Sequence, residues 1–428
     1  MPSPDPPARW KQRLMFPVKF LLGMVFCQFI AGSMLVIGWT FRFAQRAAWK
    51  TLWKRSPLQG RGVTFPAFLS SHADTQPHLH WPNWFLRQNF MQTAKDTDKW
   101  HVFTGLTESL RRNFWLGLQG IFCTSVLALP PLVLLWFGWD YGWNMSFHKG
   151  YEQFYVGVST ALVGILAFTA AMFYIPMAQA RQAATADWKS FFQFRLVWQV
   201  VRENWAGCLG LAILIALLTL PLNIMKVAPM YIADNLTFPS VEEVGPDELK
   251  ELHLQHLQNY FLWCSLYLLP VFVLMRVLAA KIYAIGLVRG LRNQTINPDD
   301  LAPIEKSIID RLELIDHGVP TTQSSWLKIA AWLGTRVGRI LSGILMFAVW
   351  LGFMFQLVVS EFLNYHTAGR GWLNQPLIQL PWFQYLPDSM KQPGQNILTA
   401  ILLVVLCGIV RIVIKRIQTP RTAGPNDA

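Results

Sequence analysis

Hydrophobic residues occur in long blocks along this chain rather than in short alternating runs. Blocks of about 18 or more apolar residues are typical of membrane-spanning helices, because about 20 helical residues cross the hydrocarbon core. Backbone groups inside a bilayer must be hydrogen-bonded within the segment, so each block is predicted to be helical. Seven segments follow from the pattern: 16–40, 114–138, 155–178, 206–226, 260–280, 340–360 and 396–414. The pattern predicts an all-α, polytopic transmembrane helical bundle with six firm spans and one N-terminal apolar helix.

The composition agrees with a membrane protein. Of 428 residues, 53% are hydrophobic and 14% charged, whereas about 25% charged residues are usual in soluble domains. The 20 tryptophans suit the membrane–water boundary. The five cysteines lie inside or beside apolar blocks without paired spacing, which predicts neither a disulfide framework nor a metal site.

Basic residues are distributed asymmetrically between the two sets of loops. The segments 41–113, 179–205 and 276–339, with the tail from residue 411, carry 28 of the 37 Lys and Arg residues, and the opposite loops carry five. The positive-inside rule places the first set in the cytoplasm. We therefore expect a multi-pass protein of the bacterial inner membrane with a cytoplasmic C-terminus. The net charge of +13 is explained by this asymmetry and by anionic headgroups, without nucleic acid.

The first apolar segment fits this topology less simply. As a span, 16–40 would have to begin outside, although it is preceded or opened by Arg9, Lys11, Arg13 and Lys19. Either the N-terminus lies outside against its charge, or 16–40 forms a re-entrant or interface-lying hairpin. The sequence leaves both open. A cleaved signal peptide is disfavoured, because its apolar region usually has about 7–15 residues.

A basic amphipathic helix is predicted at 41–55, FRFAQRAAWKTLWKR. Cationic residues recur every four positions, and aromatic residues fill other faces, a pattern typical of helices that lie on an anionic leaflet. An ordinary solvated helix face is the alternative. The candidates for lipid contact are Arg42, Arg46, Lys50, Lys54, Trp49 and Trp53.

One sequence motif occurs twice. LRRNFWLGLQGIFCTSVLALP at 110–130 aligns without a gap with VRENWAGCLGLAILIALLTLP at 201–221, with six identities that include Asn113 with Asn204. Both asparagines are predicted to lie at equivalent bends, where a surface helix turns into a span. This motif suggests three hairpin-like repeats, at 104–181, 187–289 and 327–411. Transporters use such repeats around a site, and structural bundles contain them too.

The same region resembles a group of bacterial multi-pass membrane proteins that share a domain of unknown function. The resemblance covers about 105–290 and rests on MFYIPMAQARQA at 172–183 and FFQFRLVWQVVRENW at 191–205. It implies an inner-membrane location and carries no activity over to particular residues.

Candidate chemistry is sparse. Arg276, in LLPVFVLMRVLAAK, is the intramembrane charge candidate. We interpret it as a side chain that snorkels to headgroups beside Lys281; the alternative is a charge that faces inward between the repeats. Two histidine clusters are too small for a zinc site and are interpreted as solvated: His72, His78 and His80 near Asp74, and His253 with His256.

No phosphate-binding loop, nucleophile elbow or zinc-protease motif occurs in the sequence. We therefore predict no enzyme and no catalytic, cofactor or metal residues. Small residues at four-residue spacing, Gly334, Gly338 and Ser342, are candidates for close helix packing, with a glycine-containing entry loop as the alternative.

The predicted organisation has six parts. They are an apolar and a basic amphipathic helix at 1–57, a polar cytoplasmic segment at 58–103, hairpins at 104–186 and 187–290, a cytoplasmic linker with a short helix that begins near Pro303 at 291–326, and a third hairpin with a basic tail at 327–428. The expected function is a non-enzymatic structural or accessory membrane component that binds lipid and also a protein partner or a second copy. The alternative is a transporter for an apolar or anionic solute.

Overall fold

The computed structural model of the protein describes residues 9–27, 30–71, 99–139, 152–232, 246–314 and 325–364. These residues form helices joined by short turns and contain no strand. The α-helices are α1 (Arg9–Phe26), α2 (Ile30–Trp53), α3 (Pro57–Gly60), α4 (Phe65–Ser71), α5 (Lys99–Trp139), α6 (Glu152–Thr185), α7 (Phe194–Glu203), α8 (Trp205–Ile232), α9 (Pro246–Arg292), α10 (Pro303–Arg311) and α11 (Ser325–Asn364). A 3-10 turn at Trp188–Phe192 joins α6 to α7, and another lies at Pro298–Asp300.

Five of these helices are long and apolar enough to cross a membrane. The candidate spans are Ser109–Leu135, Tyr155–Thr185, Trp205–Ile224, Leu266–Arg292 and Leu333–Gln356. They correspond to five of the six firm segments, so the predicted helical class is confirmed and the five helices are compatible with a multi-pass membrane protein. The remaining segment, 396–414, lies outside the described residues.

The N-terminal apolar segment is divided into two helices. The break falls at Cys27, so 16–40 is not one continuous span. A Cβ on Gly32 would overlap the Phe26 carbonyl, and the Phe20 ring lies 5.5 Å from that of Trp39. The first contact lies next to the turn, and the second lies farther from the turn on both helices. Helices α1 and α2 therefore form an antiparallel hairpin. A hairpin is one of the two alternatives that the sequence leaves open.

Helices α2 and α5 cross at two glycines. A Cβ on Gly38 would overlap the Asn113 carbonyl, and a Cβ on Gly117 would overlap the Met34 carbonyl. Absent side chains let two helix backbones touch, and dispersion between closely packed helices is a main source of association in lipid. This crossing, rather than the α11 glycines, is where the sequence most clearly requires small residues.

Two further pairs of helices pack antiparallel. Gly138 of α5 lies against Gly157 of α6, and Thr124 of α5 contacts Gln179 of α6, nearer the other ends of the two helices. Helix α8 runs along α9 in the opposite direction, as two hydrogen bonds show. Asn204 donates to the Ile282 carbonyl at 2.9 Å, and Tyr267 donates to the Leu218 carbonyl at 2.9 Å.

Of the two predicted bends, at Asn113 and Asn204, only the bend at Asn204 is present. Asn204 separates α7 from α8 with non-helical backbone angles (φ −133°, ψ 44°). Asn113, by contrast, lies inside α5, which continues without interruption for 41 residues. The prediction of a bend at Asn113 is therefore wrong, because α5 is continuous through this residue, whereas the Asn204 amide donates to the Ile282 carbonyl of α9 at a break between two helices. The three-hairpin repeat stays a prediction.

Candidate functional site at the basic end of the bundle

Arginines from three helices gather at one end of the bundle. This end, called the basic end below, is defined by Arg55, which follows α2, by Arg181 of α6, and by Arg289 and Arg292 of α9. Arg292 donates to the Arg55 carbonyl at 3.4 Å. Partial burial lowers the pKa of Arg55, and the positive charges of Arg289 and Arg292 lower it further. The basic end thus concentrates positive charge.

A buried ion pair ties α6 to α10 at this end. The Arg181 Nη2 atom lies 3.1 Å from Glu305 Oε2, and the two side chains are 0% and 4% exposed. Arg181 Nε also donates to Glu305 Oε1 at 3.4 Å. Removing two charges from water is costly, so such a pair persists only when its other hydrogen-bonding atoms are satisfied.

Those other atoms are satisfied by three more groups. The Tyr283 hydroxyl of α9 donates a short hydrogen bond to Glu305 Oε1. The Ala302 N–H donates to Glu305 Oε2 at 3.0 Å, which also caps the first turn of α10. Arg181 Nη1 donates to the Ser190 carbonyl at 3.4 Å. The network therefore joins α6, α9, α10 and the 3-10 turn into one unit.

The helix α10 begins where the sequence predicts it. Pro303 occupies its first turn, and Ile308, Ile309 and Leu312 are buried. Proline is favoured in the first turn because its missing N–H would have no helical partner there. The segment that contains α10 thus folds against the basic end, although the sequence shows no reason for its docking there.

A second polar cluster holds the junction between α7 and α8. Arg289 donates to the Asn204 side-chain oxygen at 3.2 Å. The neighbouring Glu203 accepts from Arg339 of α11 at 3.0 Å and from Asn293 at 2.8 Å. Asn204 and Glu203 therefore link the junction of α7 and α8 to α9 and α11.

Aromatic and basic side chains are exposed together on α7 and the turn before it. Trp188 is 39% exposed, Phe194 52% and Trp198 46%, while the opposite side of α7 buries Leu196, Val197, Val200 and Val201. Lys189, Arg195 and Arg202 are exposed among them. We call this surface the α7 face, defined by Trp188, Lys189, Phe194, Arg195, Trp198 and Arg202.

The lipid-contact candidates on α2 are largely occupied by protein contacts. Trp49 is 2% exposed and its indole N–H donates to the Ala184 carbonyl at 3.3 Å. Trp53 is half-buried and donates to the Val63 carbonyl at 3.1 Å. The prediction that Trp49 contacts lipid is wrong, because α2 packs between α5, α6 and α9.

The cationic candidates on α2 divide into two pairs. Arg42 and Arg46 are half-buried, and the Arg46 guanidinium lies 5.9 Å from the centre of the Phe65 ring. Lys50 and Lys54 are exposed. Contact with headgroups stays a prediction for all four cations.

Arg276 is buried within the bundle. It is 7% exposed, and its guanidinium carbon lies 4.3 Å from the Phe41 ring centre and 4.8 Å from that of Phe272. The interpretation as a side chain that snorkels to headgroups is therefore corrected; Lys281, one turn later, is the exposed cation. A charge at mid-bilayer costs about 2.5–3.5 kcal/mol on insertion scales, and each desolvated aromatic contact offsets about 2 kcal/mol.

The small-residue candidates on α11 differ among themselves. A Cβ on Gly338 would come within 2.8 Å of the Trp205 ring, and Ser342 is buried, so both face α8. Gly334 is exposed and nothing lies within 4 Å of it. The packing prediction is therefore wrong for Gly334, and the entry-loop alternative is also wrong, because α11 is helical throughout this stretch.

Among the described residues, no group of three or more His, Cys, Asp or Glu side chains is arranged to hold a metal ion. His72, His78, His80 and Asp74 lie outside the described part of the chain. The residues that the sequence did not single out, Glu203, Tyr283 and Glu305, act instead in holding helices together.

Comparison with protein-family models, with curated proteins and with solved structures gives no match for this chain. The resemblance to bacterial multi-pass proteins therefore stays an expectation. What the molecule does must be inferred from its own surfaces and contacts.

Proposed function

We propose that this protein is a non-enzymatic structural or accessory component of the bacterial inner membrane, which binds anionic lipid headgroups through the α7 face beside its basic end. The observation that carries the proposal is the α7 face. Its aromatic and basic side chains are exposed together on the segment 188–202, directly before the candidate span Trp205–Ile224. Aromatic rings favour the membrane interface, and cationic residues favour anionic headgroups there.

The arrangement of α7 supports a fixed lipid-binding surface. Its apolar side packs on α9, and Gly286 admits the contact because a Cβ there would come within 2.8 Å of the Val200 carbonyl. Asn204 and Glu203 then fix the end of α7 against α9 and α11. A preorganised surface loses less entropy when it binds than a mobile one does.

A lipid titration tests this proposal. Purified protein in an uncharged detergent would be titrated with phosphatidylglycerol and with phosphatidylcholine, and bound lipids counted by native mass spectrometry. The double variant Arg195→Gln/Arg202→Gln should weaken phosphatidylglycerol binding by up to about 2 kcal/mol, or about 30-fold, since each cation near an anionic surface contributes about 1 kcal/mol.

The control removes the same charge elsewhere on the exposed surface. Arg61 and Lys306 each form an exposed ion pair, so Arg61→Gln/Lys306→Gln should bind phosphatidylglycerol as the parent protein does. Equal losses in both double variants would show a general effect of net charge. No preference of the parent protein for phosphatidylglycerol would refute the proposed function.

The alternative, a transporter for an anionic solute, is favoured by one observation, the burial of Arg276 among helices. Its test is flux. Proteoliposomes loaded with inorganic phosphate should release it faster than protein-free liposomes if the alternative is right, and Arg276→Lys should slow that release. Phosphate release equal to that of protein-free liposomes would support the accessory role.

A further inference from the structure

Arg276 lacks a counter-charge among the described residues. The two buried carboxylates in this part of the chain are already paired, Glu305 with Arg181 and Glu203 with Arg339. The Phe41 and Phe272 rings contact the guanidinium but accept none of its N–H bonds as an oxygen would. Within the described residues, Nη1 of Arg276 is buried and has no hydrogen-bond acceptor.

We propose that Arg276 binds an oxyanion, a phosphate or carboxylate group, through its unsatisfied N–H groups. A guanidinium presents its donors in one plane, as a fork that matches two oxygens of such a group. The aromatic contacts hold the cation in place and leave those in-plane donors for the anion. An anion would neutralise the buried charge and satisfy Nη1 in one step.

The site is within reach of the basic end. Tyr283, whose hydroxyl meets Glu305 of α10, is seven residues further along α9 than Arg276, which is about 10 Å of helix. Anions are attracted to the same end by Arg55, Arg289 and Arg292. The occupant is therefore either a lipid phosphate that enters between helices or a soluble oxyanion from the aqueous side.

The proposal does not depend on lipid binding by the α7 face, and different variants test the two. Full-length protein in an uncharged detergent would be titrated with inorganic phosphate and, separately, with phosphatidylglycerol. The readouts are the change in Tm and, for the lipid, the bound mass. Arg276→Gln should abolish the response to the anion that stabilises the parent protein.

Two further variants make the experiment decisive. Lys281→Gln removes one positive charge from an exposed position on the same helix and should keep the response. Arg276→Lys keeps the charge but loses the fork, and should weaken apparent anion affinity about 10-fold. If Arg276→Gln fails to fold, Arg276→Lys tests the proposal in its place.

Each outcome decides the proposal. A response to inorganic phosphate that requires Arg276 identifies a soluble anion, and a response to phosphatidylglycerol alone that requires Arg276 identifies a lipid phosphate; both support the site. The absence of any response in the parent protein would overturn it. So would a response that Arg276→Gln and Arg276→Lys share undiminished with the parent protein, which would mark an adventitious ion only.

Discussion

The Arg181 guanidinium meets the Glu305 carboxylate at 3.1 Å, although 124 positions separate the two residues in the chain. Both are withdrawn from water, and Tyr283, Ala302 and Ser190 complete their hydrogen bonds. The contact joins the end of a candidate span to a short polar helix. It makes α10 part of the folded core at the basic end.

Breaking this pair should destabilise the protein strongly. Glu305→Ala leaves Arg181 as a buried, unpaired charge, which costs about 3–5 kcal/mol. Glu313→Ala is the matched control, because it breaks the largely exposed pair with Arg61, and such pairs contribute about 0.2–1 kcal/mol. Unfolding by SDS titration of the purified protein measures both. Similar losses for the two variants would show that the Arg181 pair is not buried in the membrane-embedded protein.

The crossing of α2 and α5 should not tolerate a methyl group. Gly38→Ala would force the two backbones apart, with a loss of about 1–3 kcal/mol typical of overpacking. Gly343→Ala, where nothing lies within 4 Å, should leave stability unchanged or slightly higher, because alanine favours helix. The Tm in detergent compares them. An unchanged Tm for Gly38→Ala would contradict the close contact.

Two tryptophans should respond in opposite ways. Trp49→Ala removes a buried ring and should lower the free energy of unfolding by about 3–5 kcal/mol. Trp198→Ala removes an exposed ring and should change it by about 0.5 kcal/mol or less, while it weakens phosphatidylglycerol binding. Thermal unfolding and native mass spectrometry together separate the effects. A stable Trp49→Ala variant with impaired lipid binding would restore the original interpretation of α2 as a leaflet-bound helix.

Reporter fusions should give an alternating topology. The distribution of Lys and Arg predicts periplasmic reporters after residues 145, 240 and 375, and cytoplasmic reporters after 185, 300 and 420. Alkaline phosphatase and green fluorescent protein activities measure the two sides. A cytoplasmic signal at 240 would contradict the orientation, and a fusion at residue 8 would decide on which side the N-terminus lies.

The class of fold could be predicted because it depends on a local property. The length of an apolar block fixes whether a helix can cross a bilayer, and five of the predicted segments recur as candidate spans. The ends of those helices were less predictable. Helix α5 continues through Asn113, whereas α7 ends at Asn204, whose amide donates to the Ile282 carbonyl of α9.

The polar contacts of the site could not be predicted, because each depends on two distant segments. In the sequence, Arg181 is an ordinary basic residue at the end of an apolar segment, and Glu305 is one carboxylate on a short polar helix. The burial of α2 had a local signal, however. Ala44 and Ala48, both fully buried, lie one turn apart on the side of the helix that packs, and small residues at that spacing favour close packing over lipid contact.

The long separation of Arg181 from Glu305 also has a consequence for synthesis. A ribosome adds about 5–20 residues per second, so the 124 residues between them take about 6–25 s. Throughout that interval α6 has been made, but the carboxylate that neutralises its arginine does not yet exist. The nascent chain must therefore keep Arg181 in water or on a temporary partner, and the basic end can close only after Glu305 has emerged.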